Sequence, residues 1–145
     1  MASAMSSIIS RSISTSTPMN RIILLSRLRV VDNSTIGKKA IAAGKPPRCI
    51  HVYNPTGVGL LGDTIMVAIS GEKKKGILVG LKANQKTKVP RYDSNNLVLI
   101  DDNGTPLGTR IHVPIPHILR TKMKEKTHSK GANYTKLIAI ASRFV

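Results

Sequence analysis

Lysine and arginine dominate the chemistry-bearing residues of this chain, and they gather between its apolar segments. Lys38, Lys39, Lys45 and Arg48 crowd the first long loop, and Lys73-Lys74-Lys75 is expected at a hairpin tip. Lys82, Lys86, Lys88 and Arg91 surround the next loop, and Arg120 and Lys122 extend the candidate set towards the C-terminus. One such cluster is ordinarily a solvated charged face. Three loop clusters nearly free of acidic residues instead suit a polyanion, because a rigid scaffold can aim loop cations at several phosphates at once.

Catalytic chemistry finds little support. Asp101-Asp102 are adjacent in a turn signal, where an Asx turn is the natural role. Serines and histidines are scattered without distinctive spacing, and no GxSxG elbow occurs. Gly57-Val58-Gly59-Leu60-Leu61-Gly62 matches the dinucleotide fingerprint by letter. That fingerprint needs a following helix to present its N-terminal amides to a pyrophosphate. Thr64-Ile65-Met66-Val67-Ala68-Ile69 follows instead, and its β-branched residues favour a strand. A P-loop fails as well, since Asp63 stands where the phosphate-binding lysine belongs. The single cysteine, Cys49, shares a strand face with His51 in an alternating pattern, but no further pair sits at ligand spacing. An enzyme, a metal site and a cofactor are not expected.

Composition points the same way. The 145 residues carry 23 Lys+Arg against 7 Asp+Glu, a formal charge of +16. That excess repels itself unless a polyanion or salt neutralises it, and nucleic acid is the commonest such partner. An anionic membrane surface is the second. Aromatics then discriminate among nucleic acids. Single-strand binders stack bases on aromatic platforms. Tyr53, Tyr92, Tyr134 and Phe144 are too few and dispersed for that. Structured RNA, met through phosphates, 2′-hydroxyls and shape, is the expected target.

Residues 1–31 contain four arginines and no acidic residue, and seven serines fall within the first 16 positions. Such a segment has the character of an organellar transit peptide. Its longest apolar run, Ile22-Leu25, is too short for a secretory or membrane-spanning segment. We read residues 1–25 as the leader, with a cut between Ser12 and Ser26, and residues 26–145 as one domain. Recurrent arginine favours a mitochondrion over a plastid. Without residues 1–31 the charge falls only to +12, so the domain itself is basic.

Short Ile/Val/Leu-rich runs between turn signals predict strands near Arg27–Asp32, Arg48–Tyr53, Thr64–Ser70, Gly76–Lys82, Leu97–Asp101 and Leu107–Val113. The last two form an expected hairpin through the acidic turn Asp102-Asn103-Gly104-Thr105-Pro106. The fold class is mainly β, a small barrel, because closure removes exposed edges. His117 to Arg120 can start a short helix, Lys122 to Lys130 reads as a basic linker, and the tail from Tyr134 leans towards helix.

The chain also resembles the universal large-subunit ribosomal protein fourteen family from about Arg27 to Val145. The matching pieces keep their order: Val31-Asp32-Asn33-Ser34, Arg48-Cys49-Ile50-His51-Val52, Gly57-Val58-Gly59 with Gly62-Asp63, and Lys73 to Val79. They continue with Arg91-Tyr92-Asp93, Asn95, Val98-Leu99, Gly108-Thr109-Arg110-Ile111 and Leu119-Arg120. The chain departs between Gly80 and Pro90, where the loop is short and Lys86-Thr87 replaces an Asp-Gly pair. The resemblance implies a five-stranded barrel with an added β-ribbon hairpin and short C-terminal helices. It implies a non-enzymatic component of the large ribosomal subunit that binds its rRNA and neighbouring ribosomal proteins. It further implies bridges to small-subunit rRNA and, through Thr109, Arg110 and Lys136, an intersubunit face that receives a ribosome-silencing factor. With the arginine-rich leader, the resemblance is to the mitochondrial form, in the matrix.

Overall fold

The computed structural model describes residues 22–82, 89–130 and 134–145. Most of the expected leader lies outside the described residues, as do Lys86 and Lys88. The protein is mainly β. Strands β1 (Arg29–Val30), β2 (Arg48–Val52), β3 (Thr64–Ile69), β4 (Glu72–Gly80) and β5 (Asn96–Ile100) form one sheet. Their order is β1-β5-β4-β3-β2, with β1 parallel to β5 and the other pairs antiparallel.

The sheet forms where β-branched and aliphatic residues are densest. Ile65, Val67 and Ile69 of β3 are buried on alternate positions, as a half-covered strand requires. Every residue of β5, and β4 from Gly76 to Gly80, is buried, so these central strands are covered on both faces. The β3–β4 connection is a two-residue turn in which Ser70 and Gly71 both take positive φ, +51° and +78°. Such turns match the twist of the flanking strands. Lys73-Lys74-Lys75 therefore do not form a hairpin tip, as the sequence suggested. They lie within β4, opposite Ala68, Val67 and Met66.

The expected barrel is not closed by these strands. Edge strand β1 is only two residues long. Just before it, the isolated bridge Arg27–Arg48 and the Leu28 N–H donating to the Pro47 carbonyl (3.0 Å) bring the chain to β2. A tight turn at Ile23–Ser26, with Leu25 at φ +68°, stops that pairing from lengthening. The expected second strand of the ribbon, Leu107–Val113, is also absent. Isolated bridges stand in its place, Ile100–Pro106, Asp32–Ile111 and Ile111–Ala141. Pro106 and Pro114 lack ladder donors, and after Leu107, whose N–H still donates to the Leu99 carbonyl at 3.0 Å, the chain bonds to Asn33 instead.

Two basic segments are helical rather than irregular. Helix α1 (Thr35–Ala42) occupies the loop expected around Lys38 and Lys39, and its cap, Ser34, accepts the Gly37 N–H at 3.2 Å. Helix α2 (Ile118–Lys130) replaces the expected linker. Leu119 and Met123, four apart and fully buried, pin one face of it to the core. The tail forms only the single turn α3 (Lys136–Ala139). Beyond it the chain runs beside residues 111–117, through the bridges Ile111–Ala141 and Ile115–Phe144.

Candidate nucleic-acid interface

Asp32 and Asn33 organise one side of the candidate surface. The Asp32 carboxylate is 2% exposed, and accepts the Leu99 N–H at 3.2 Å, the Ser34 hydroxyl at 2.8 Å and the Ser34 N–H at 3.3 Å. Burial pushes its pKa above the ordinary carboxyl value, while those hydrogen bonds and nearby His112 pull the other way. Asp32 thus ties the chain leaving β1 both to β5 and to the cap of α1.

Asn33, next along, faces the Gly108-Thr109-Arg110 segment. Its Oδ1 accepts the Thr109 N–H at 2.6 Å and the Arg110 N–H at 3.1 Å, and its Nδ2 donates to Thr109 Oγ1 at 2.7 Å. Gly108 permits the approach, because a Cβ there would stand 2.9 Å from both Asn33 Oδ1 and Asp32 Cβ. Thr109 and Arg110 remain exposed while their backbone is fixed. The Ile111 N–H then donates to the Ile140 carbonyl at 3.1 Å, which ties this segment to the end of α3. Exposed Lys136 starts that helical turn.

The β4 lysines adjoin this region. Lys74 lines an open groove of about 380 Å³ together with Asn33, Thr35, Ile36, Gly108 and Thr109. A neighbouring groove of about 230 Å³ is lined by Lys73, Lys74, Lys75 and the Asp101-Asp102 turn. Lys74 meets Glu72 at 3.7 Å, and Lys75 meets Asp102 at 3.2 Å. The hydrogen bond and charge of Asp102 raise the Lys75 pKa. Exposed pairs of this kind are worth little, because solvent screens them. Phosphate oxygens can therefore replace the carboxylates at small cost.

A second cationic pair lies beyond the other end of β4. Arg91 Nε donates to the Lys82 carbonyl at 2.6 Å, and both residues are exposed. At roughly 3.3 Å per residue, the nine residues of β4 separate the two groups by on the order of 25 Å. Lys38 and Lys39 project from α1, with exposed Lys45 and Arg48 following it.

The C-terminal candidates divide. The Arg120 guanidinium lies 3.9 Å from the Phe144 ring centre and stays exposed. Lys122 instead turns inward and donates to the Leu61 carbonyl at 3.0 Å. Lys126 does the same towards the Gly62 carbonyl at 3.2 Å and the Thr64 hydroxyl. Helix α2 thus latches the glycine-rich loop, a role that its lysine-rich sequence did not suggest.

The other tempting motifs are structural. Gly57 to Gly62 leads into β3, not a helix, and Asp63 Oδ2 accepts the Leu60 N–H and Asn54 Nδ2, each at 2.8 Å. Asp101 Oδ1 accepts the N–H groups of Asn103 (3.0 Å) and Thr105 (2.8 Å), the Asx turn expected of it. Cys49 and His51 do not share a face, because a bulge between them breaks the alternation. Cys49 is buried while His51 is exposed and packs edge-on against Tyr53. Asn33 is the organising residue of this candidate surface that chemistry-based reading missed. Its signal was present in Val31-Asp32-Asn33-Ser34, which the family resemblance alone had marked.

Residues 21–145 match the family described as Ribosomal protein L14p/L23e. The chain belongs to this family. A relative from Danio rerio, "Large ribosomal subunit protein uL14m", is 50% identical over 135 residues, covering 93% of this chain and 89% of the relative. The resemblance read from the sequence thus holds over nearly the whole described fold, and for the mitochondrial form.

The Asn33 clamp makes a direct prediction. Asn33→Ala removes two acceptor contacts and one donor contact, and is expected to cost roughly 1–2 kcal/mol locally. Amide exchange at Thr109 and Arg110 should rise about tenfold while β4 and β5 stay protected. Unchanged exchange at both residues would show that Asn33 does not hold the segment.

Proposed function

We propose that this chain uses the β4 lysines and the groove joining Lys74 to Thr109 to bind large-subunit rRNA, and presents Thr109 and Arg110 at the subunit-joining face. As a member of the ribosomal protein L14p/L23e family, it is a structural component of the mitochondrial ribosome and not an enzyme. The finer reading is supported most by one observation. A strand buried over Gly76–Gly80 carries three consecutive lysines at its other end, and Lys74 among them shares a groove with the clamped, exposed Thr109. Lys38, Lys39, Lys45, Arg48, Lys82, Arg91 and Arg120 are also exposed and are proposed as further phosphate contacts.

The physics favours folded RNA. The sheet fixes the spacing of the cations, which suits phosphates held at fixed spacing by RNA structure. Tyr134 is buried against the core, and Phe144 is covered by Arg120, so neither offers a free stacking platform. Neighbouring ribosomal proteins, small-subunit rRNA at bridges and a silencing factor are the partners proposed for the Thr109, Arg110 and Lys136 side. A leader within residues 1–25 is proposed to deliver the chain to the mitochondrial matrix.

Gradient sedimentation of mitochondrial lysate, with and without ribonuclease, separates this reading from two others. A ribosomal component comigrates with large subunits and is released by ribonuclease. A free nucleic-acid-binding module sediments apart from ribosomes, and an adaptor for an acidic protein stays in its particle after ribonuclease. Replacing Lys73, Lys74 and Lys75 together by glutamate should lower incorporation into large subunits by about tenfold or more, since each lost phosphate contact forfeits counterion release. Unaltered incorporation would remove β4 from the interface. Arg110→Glu should leave large subunits assembled but reduce monosomes or silencing-factor binding. Normal levels of both would remove Arg110 from the joining face.

A further inference from the structure

The boundary between leader and domain can be placed from packing. Ile22 is fully buried in the core, although it lies inside the segment that sequence composition assigns to the leader. Its carbonyl accepts the Gly59 N–H at 2.8 Å, and the two residues form an isolated antiparallel bridge. Gly59 is shaped to this contact: a Cβ there would stand 2.9 Å from Ile22 Cβ and 2.8 Å from Leu78 Cδ1. The residues that follow are also docked. The Ile23 N–H donates to Ser26 Oγ at 2.9 Å, the Leu25 N–H to the Cys49 carbonyl at 2.6 Å, and the Cys49 N–H to the Ser26 carbonyl at 2.9 Å. Ile23, Leu24 and Leu25 themselves are more than half exposed, so Ile22 is the side chain that anchors this turn.

We propose that maturation cuts the chain N-terminal to Ile22, between Ser12 and Ile22, so that the functional domain begins with the Ile22 anchor rather than at residue 26. This rests on the mitochondrial reading above. A processing peptidase hydrolyses one peptide bond in that interval. Water adds across the C–N bond, leaving a carboxylate on the leader and an ammonium on the mature chain. A cut between Ile22 and Ser26 would remove a buried isoleucine and open a void beside Gly59 and Leu78. The same packing gives a structural reason for glycine at 59: the side chains of Ile22 and Leu78 occupy the space a Cβ there would need.

The test imports the full-length precursor into isolated mitochondria and determines the N-terminus of the product by mass spectrometry. The expected start lies between Ile13 and Ile22. A start at residue 23 or later, a start before Ile13, or an uncut chain overturns the proposal. In the purified full-length chain, Ile22→Ala should lower Tm by roughly 5–10 °C, while Leu24→Ala, at an exposed neighbour, should leave it unchanged. Equal Tm values for Ile22→Ala and the unaltered chain would also overturn it. Sedimentation of the imported product reads ribosome association separately, so a misplaced cut and a failed assembly reading give different results.

Discussion

Strand β4 joins two opposed physical demands in one continuous element. From Gly76 to Gly80 it is buried between β3 and β5, and from Lys73 to Lys75 it carries adjacent positive charges. Burying side chains such as Ile77, Leu78 and Val79 stabilises the fold by about 1.5–3 kcal/mol each. The solvent-screened pairs Lys74–Glu72 and Lys75–Asp102 contribute far less. The apolar half therefore decides where the strand lies, and the cationic half follows. Lysines placed in this way keep their spacing when their carboxylate partners are exchanged for phosphates.

The scarce carboxylates reinforce that design. Asp32 and Asp63 serve as internal acceptors for backbone and side-chain donors, and Asp101 builds its own turn. None of these three offsets the outer charge through an ion pair among the described residues. Two lysines that look like surface charge in sequence, Lys122 and Lys126, instead hold the Gly57–Gly62 loop against α2. The basic residues thus divide into those that assemble the molecule and those left to face a partner. Sequence composition alone does not make that division.

Much of the sheet was legible because burial on both faces writes itself as continuous aliphatic runs. Leu97–Ile100 was read correctly for that reason, Thr64–Ile69 by its β-branched residues, and the Asp101 turn by its hydrogen-bonding chemistry. Helix α1 was missed although Ser34 and the alanines at 40, 42 and 43 carried a capping and propensity signal, because Gly37 weakens a segment only eight residues long. Helix α2 was hidden too, its apolar face reduced to Leu119 and Met123 among lysines. The failed ribbon strand and the inward lysines depend on contacts far apart in the chain, Asn33 with Thr109 and Lys122 with Leu61. No local pattern encodes them. At the candidate surface, residue types were readable, but the clamp that fixes Thr109 and Arg110 was not.

The central claim is that a rigid apolar sheet presents fixed cations to folded ribosomal RNA. Its most direct measurement is the affinity of the purified protein for a large-subunit rRNA transcript as salt is varied. Engagement of the three β4 lysines alone sets a slope of log K against log salt of roughly −2 or steeper, with the surrounding basic residues steepening it further. A slope near zero, or no binding at physiological ionic strength, would contradict the account.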